Sequence, residues 1–207
     1  MSTLANAEEL MRFCAATLHE LVMPANLRSR TAAACLGVVL DHQHAITILV
    51  ANERMASAFA LVRPVFESLL RGIWLTHCAT DDQVELFSTG RSRPEVDRLL
   101  KDIENKPGYD EKGLSAIKVS AWSSMCEYTH TGGLQIQRWQ TESSVEPKYN
   151  KDEVEEVLAF ANLFASLAAI EMVGIAGSEG KFNTLTKSLA QYLPAEAKYL
   201  AQAARHR

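Results

Sequence analysis

Glycine and proline are scarce in this chain of 207 residues, 10 and 6 in all. That scarcity works against an all-β fold, whose frequent turns draw on both residues. Cysteine is equally thin. Cys14, Cys35, Cys78 and Cys126 stand far apart, with neither a Cys-x-x-Cys pair nor zinc-ligand spacing. They read as small buried hydrophobes of a reducing compartment, not as a disulfide framework. An apolar signal segment is missing, because Glu8, Glu9 and Arg12 interrupt the first residues. The longest uncharged run towards the C-terminus, 157–170, is shorter than the roughly 20 residues a helix needs to cross a bilayer. A formal charge of −4 and a pI near 5.9 argue against a general binder of nucleic acid or anionic membrane. Walker, dinucleotide-turn, Gly-x-Ser-x-Gly and His-Glu-x-x-His motifs are all absent. The expectation is a cytoplasmic protein without a membrane span or cofactor.

What the sequence does contain is helical periodicity. Apolar residues at spacings of three and four, with many Ala and Leu, predict an all-α, single-domain helical bundle of about six to eight helices over 1–207. Helices are expected over 5–22, 27–52, 54–79, 82–87, 94–103, 114–130 and 152–175, then two shorter ones over 183–207, with Pro194 opening the last. Pro64 falls inside the central 54–79 segment and should kink it, freeing a backbone carbonyl beside Arg63. Residues 134–150 are polar and irregular and read as an exposed loop.

The 54–79 segment is the most informative. Between Met55 and Cys78 its only formal charges are Arg63, Glu67 and Arg71, four residues apart. On a helix they form one stripe, drifting by about 40° per step. The remainder is apolar around the whole circumference, which marks a buried helix, and buried charges persist only when paired and hydrogen-bonded. Polar islands recur in the other apolar segments: Asp41 and His44, Glu127 and His130, Asn162 and Ser166. A bundle can bring such islands to one level. Two guanidinium groups against one carboxylate leave a positive surplus, suited to a phosphate or carboxylate. The same stripe could instead be a self-satisfied ion network or a subunit contact.

His130 sits where a helix yields to Thr131-Gly132-Gly133, a place from which a histidine can reach a cleft as acid, base or ligand. Glu127-Tyr128-Thr129-His130 has the Glu-x-x-His form used by di-metal bundles, and Asp41 with His44 is its carboxylate analogue. Arg63 and Arg71 would repel a cation, so no metal is assigned.

Residues 57–67, continuing through Arg71 to Leu75, together with Tyr-Thr-His-Thr-Gly-Gly at 128–133, resemble an uncharacterised bacterial all-helical family. Its marks are an Arg-Pro-x-x-Glu helix, here Arg63, Pro64 and Glu67, and that glycine-ended segment. The resemblance implies an all-α bacterial protein without an established activity, connected with defence or stress loci, and it assigns no catalytic residue. A second, weaker resemblance is to the RNases of the HEPN superfamily, whose Arg and His have four to six residues between them. Arg71 with His77 and Arg12 with His19 share that spacing, which a chain of this size also produces by chance.

The leading expectation is a self-associating binding or regulatory protein, a homo-oligomer holding a small anionic ligand among Arg63, Glu67, Arg71, His130, Glu127, Asp41 and His44. The alternative is a HEPN-like, metal-independent RNase with a defence or toxin role, acting on RNA.

Overall fold

A computed structural model describes residues 3–192. The described residues form helices and no strand; one isolated antiparallel bridge joins Gln140 to Val145. In chain order the helices are α1 (Thr3–Leu18), α2 (Leu27–Ala51), α3 (Met55–Ala60), α4 (Val62–His77), α5 (Asp81–Ser88), α6 (Val96–Ile103), α7 (Gly113–Thr129), α8 (Gly133–Gln137), α9 (Lys151–Ile175) and α10 (Glu179–Tyr192). The helix expected to open at Pro194 lies outside the described residues.

Local chemistry sets several of these boundaries. Asn26 caps α2 by accepting the Ser29 N–H at 2.9 Å, and Thr80 with Gln83 forms a reciprocal capping box on α5. Arg28, in the first turn of α2, reaches across to the end of α4. There its Nη1 donates to the Leu75 and Ala79 carbonyls at 2.8 and 2.7 Å, satisfying acceptors a helix end leaves open.

α2, α4 and α9 pack on one another and form the centre, with α1 and α10 against α9 and with α6 and α7 against α4. One contiguous apolar cluster runs from Ala7 to Leu189. Within it Phe66 of α4 meets Phe164 of α9 with ring centroids 5.3 Å apart. α2 and α4 approach closely at Gly72, where an added Cβ would stand 2.5 Å from the Cδ2 of fully buried Leu36. Glycine is what lets these two rods meet.

Three expectations change. The central segment is divided rather than a single helix: α3 ends at Ala60 and α4 begins at Val62. Pro64 thus lies in the first turn of α4, where a missing N–H costs little. Residues 134–137 of the expected loop belong to α8 instead, with Gln135 buried and Arg138 paired through Nε and Nη2 to Glu153. Finally, α2 and α9 are each 25 residues long and apolar enough, by length and composition, to span a bilayer. The count of 157–170 misses this because a helix may carry one or two charges and still qualify. α9 is the buried core rod; α2 keeps an open face.

Candidate functional site

A spacing of four residues, about one turn, places Arg63, Glu67 and Arg71 on one side of α4. Glu67 is the hub. Its Oε1 accepts from Arg63 Nε at 2.8 Å, and its Oε2 accepts from Arg71 Nη2 at 2.6 Å. Only 7% of Glu67 is exposed. Burial works to raise its pKa, but the hydrogen bonds and charges of Arg71 and then Arg63 outweigh this and hold it below the usual 4.5.

Arg63 carries the network to α7. Its Nη1 lies 2.5 Å from His130 Nε2, and its guanidinium stacks over Trp122 at 4.7 Å from the ring centroid. An arginine can only donate, so His130 Nε2 is the acceptor and its ring proton sits on Nδ1. Pro64 also bears on where the end of α7 docks. Pro64 cannot donate to the Ala60 carbonyl, and Thr129 Oγ1 does so instead at 3.0 Å. That bond pins the last residue of α7 to the α3–α4 junction and sets His130, the next residue, beside Arg63. The freed carbonyl expected from the sequence is therefore Ala60, and it holds a neighbouring helix in register.

A third guanidinium joins from outside the helical pattern. Arg93 Nη2 stands 3.8 Å from Glu67 Oε2, with 81% of its side chain exposed. Three positive groups thus face one carboxylate. Arg71 uses only Nη2, and Arg63 leaves Nη2 without a hydrogen-bond partner among the described residues. Among those residues, the sole buried side-chain nitrogen or oxygen lacking a partner is Ser166 Oγ. The unused guanidinium nitrogens therefore reach solvent, although the two side chains are only 15% and 20% exposed.

The structure brings Arg63, Glu67, Arg71 and His130 together and leaves the other candidates elsewhere. Asp41 and His44 are exposed on α2. The inward residues of that island are Gln43 and Thr47, and Gln43 Nε2 donates to Asn162 Oδ1 at 3.1 Å in a separate core network. Glu127 accepts the Leu134 N–H at 3.1 Å, within the first turn of α8. It depends on Gly132, where a Cβ would sit 2.3 Å from Glu127 Oε2. Among the described residues no three His, Cys, Asp or Glu gather as metal ligands would. Arg71 and His77 serve different carboxylates, Glu67 and Glu171, because a separation of six residues puts them on different sides of α4. Burial pushes the thiols of Cys14, Cys35 and Cys78 up to about 12, 11 and 11, and Arg71 opposes this at Cys35. They are protonated, unreactive side chains at neutral pH.

Sequence reading missed Arg93 and Trp122. Arg93 lies in a polar connection whose only signal is a pair of arginines, Arg91 and Arg93, flanking Ser92. Trp122 looks like an ordinary core aromatic until Arg63 is seen above it.

The sequence matches a family of unknown function, DUF6988, over residues 36–195. This chain belongs to DUF6988. The matched region contains every member of the Glu67 group, whereas α1 lies before it. No curated protein and no solved structure matches the chain.

Proposed function

We propose that this DUF6988 protein binds a small oxyanion, a phosphate- or carboxylate-bearing ligand, at Arg63, Arg71 and Arg93, and that it works as a self-associating binding or regulatory protein of the bacterial cytoplasm. The observation that carries the reading is the set of water-facing guanidinium donors left over after Glu67 has been served. A purely structural ion network would close on itself; here two nearly buried arginines and one exposed arginine keep donors for another acceptor. Guanidinium forks match phosphate and carboxylate oxygens in pairs. Glu67 holds Arg63 and Arg71 extended, and His130 and Trp122 hold Arg63 from the other side, so little side-chain freedom is lost on binding.

Inorganic phosphate and citrate, added to the full chain at low salt, test the reading. The wild type should melt at a higher temperature as either anion is added, more weakly as sodium chloride rises. Arg71→Gln and Arg93→Gln should lose the response. Glu67→Gln, which removes the competing carboxylate, should bind at least as tightly as the wild type. Absence of any response in the wild type, or an unchanged response in both arginine variants, would overturn the proposal.

Self-association has its own support. On α2, Leu27, Thr31, Ala34, Val38, Asp41, Ala45 and Ile48 recur at alternating gaps of four and three, the spacing of a coiled-coil seam. The row faces outwards: Leu27, Val38 and Ile48 are 50%, 43% and 50% exposed. A second copy crossing antiparallel would set Asp41 of one protomer against His44 of its partner, whereas a parallel pairing would oppose like charges. On this proposal Asp41 and His44, which the sequence reading put in the ligand site, serve pairing between protomers instead.

A further inference from the structure

The opposite end of α4 carries a second constellation, about 15 Å along the axis from Glu67. Glu171 of α9 is 2% exposed. Its Oε1 accepts from the Tyr109 hydroxyl at 2.6 Å, and its Oε2 lies 2.8 Å from His77 Nε2. The carboxylate oxygen fixes the proton on Nε2, so His77 Nδ1 is the nitrogen with a lone pair. His77 also lines a cleft of about 610 Å³ with Val173, Ile175, Ser178, Glu179 and Phe182. An imidazole held by a buried carboxylate, its other nitrogen basic and a cavity beside it, is an arrangement suited to proton abstraction.

We propose that this cleft is a hydrolytic site for small, uncharged or cationic acyl esters, with His77 as the general base. Ile175 and Phe182 offer an apolar bed for the acyl chain, while Glu179 at the rim disfavours an anionic substrate. His77 Nδ1 takes a proton from water as the water oxygen bonds to the ester carbonyl carbon, and the carbonyl electron pair moves onto its oxygen. The first turn of α10 borders the cleft at Ser178 and Glu179, and the N–H groups that a helix start leaves without intrahelical partners are of the kind that stabilise such an oxyanion. When the carbonyl re-forms, the ester C–O bond breaks, and the departing alkoxide recovers the proton from Nδ1. Acid and alcohol leave, and the imidazole is restored. His77 is the catalytic residue; Glu171 and Tyr109 are positioning residues that act through its tautomer.

The full chain with p-nitrophenyl butyrate tests this. Nitrophenolate release by the wild type should exceed both buffer and His77→Gln, and should be unchanged in His19→Gln, a control for ordinary surface imidazoles. Glu171→Gln should lower kcat by about 10²-fold with little change in KM, and Glu171→Asp should recover part of the loss. Should the Glu171 variants fail to fold, nitrogen NMR of the wild-type imidazole decides the same point: the proton must reside on Nε2. Equal release from wild type and His77→Gln, no release above buffer, or a proton found on Nδ1 would each overturn the proposal.

Discussion

At the scale of single residues, Glu67 makes stability depend on pH in one direction. Its carboxyl is held below the unfolded value of 4.5, so the folded chain binds its proton less readily than the unfolded one. The stabilisation is fully present above that value and drains away as pH falls through the folded pKa. Thermal melts taken downwards from neutral pH should show a slope below 4.5 that is flatter in Glu67→Gln. The variant is also less stable near neutrality, because two shielded guanidinium groups lose their counter-charge. An identical slope in both proteins would assign the acid sensitivity to other carboxylates.

At the scale of elements, the α3–α4 junction explains why part of the site could be read in advance and part could not. The stripe on α4 was legible because helical periodicity converts a spacing of four into a shared face. The need to free a carbonyl was legible from Pro64 alone. What stayed hidden was the partner, since nothing near position 60 announces a hydroxyl from position 129. Likewise the islands on α2 and α7 were recognised as polar, but a rotation of a fraction of a turn decided which members face inwards. Gln43 and Thr47 turned in, Asp41 and His44 turned out, and Glu127 went to the backbone of α8. The junction yields a double-mutant test. Thr129→Val leaves the Ala60 carbonyl unpaired and should cost about 1–2 kcal/mol in urea unfolding. In a Pro64→Ala background the restored N–H can serve that carbonyl, and the same Thr129→Val change should cost less. Additive costs would mean that the two groups do not compete for one acceptor.

At the scale of the whole molecule, α2 has two unlike sides. One packs against α4 and α9; the other is an aliphatic row with an acid and an imidazole near its middle. If that row joins two protomers, Ile48→Lys should lower the mass measured by sedimentation equilibrium to that of one chain, with helix content retained. Asp41→Lys should weaken association, and His44→Glu added to it should restore part of the loss by reversing the pair. A wild type that sediments as a single chain at every concentration would dispose of the seam. The all-α fold and most helix positions were legible because amphipathic periodicity extends over long segments. Arg93 was not, because a residue between helices carries no phase from which its direction could be inferred.

Between Glu67 and His77, α4 buries Leu69, Leu70, Gly72, Ile73, Trp74 and Leu75, and Trp74 is tied through its indole N–H to Asp102 at 2.9 Å. Packing along its middle leaves the two polar ends of this rod, the arginine group and the solvent-exposed His77, spaced by a stretch of helix that itself offers nothing to water.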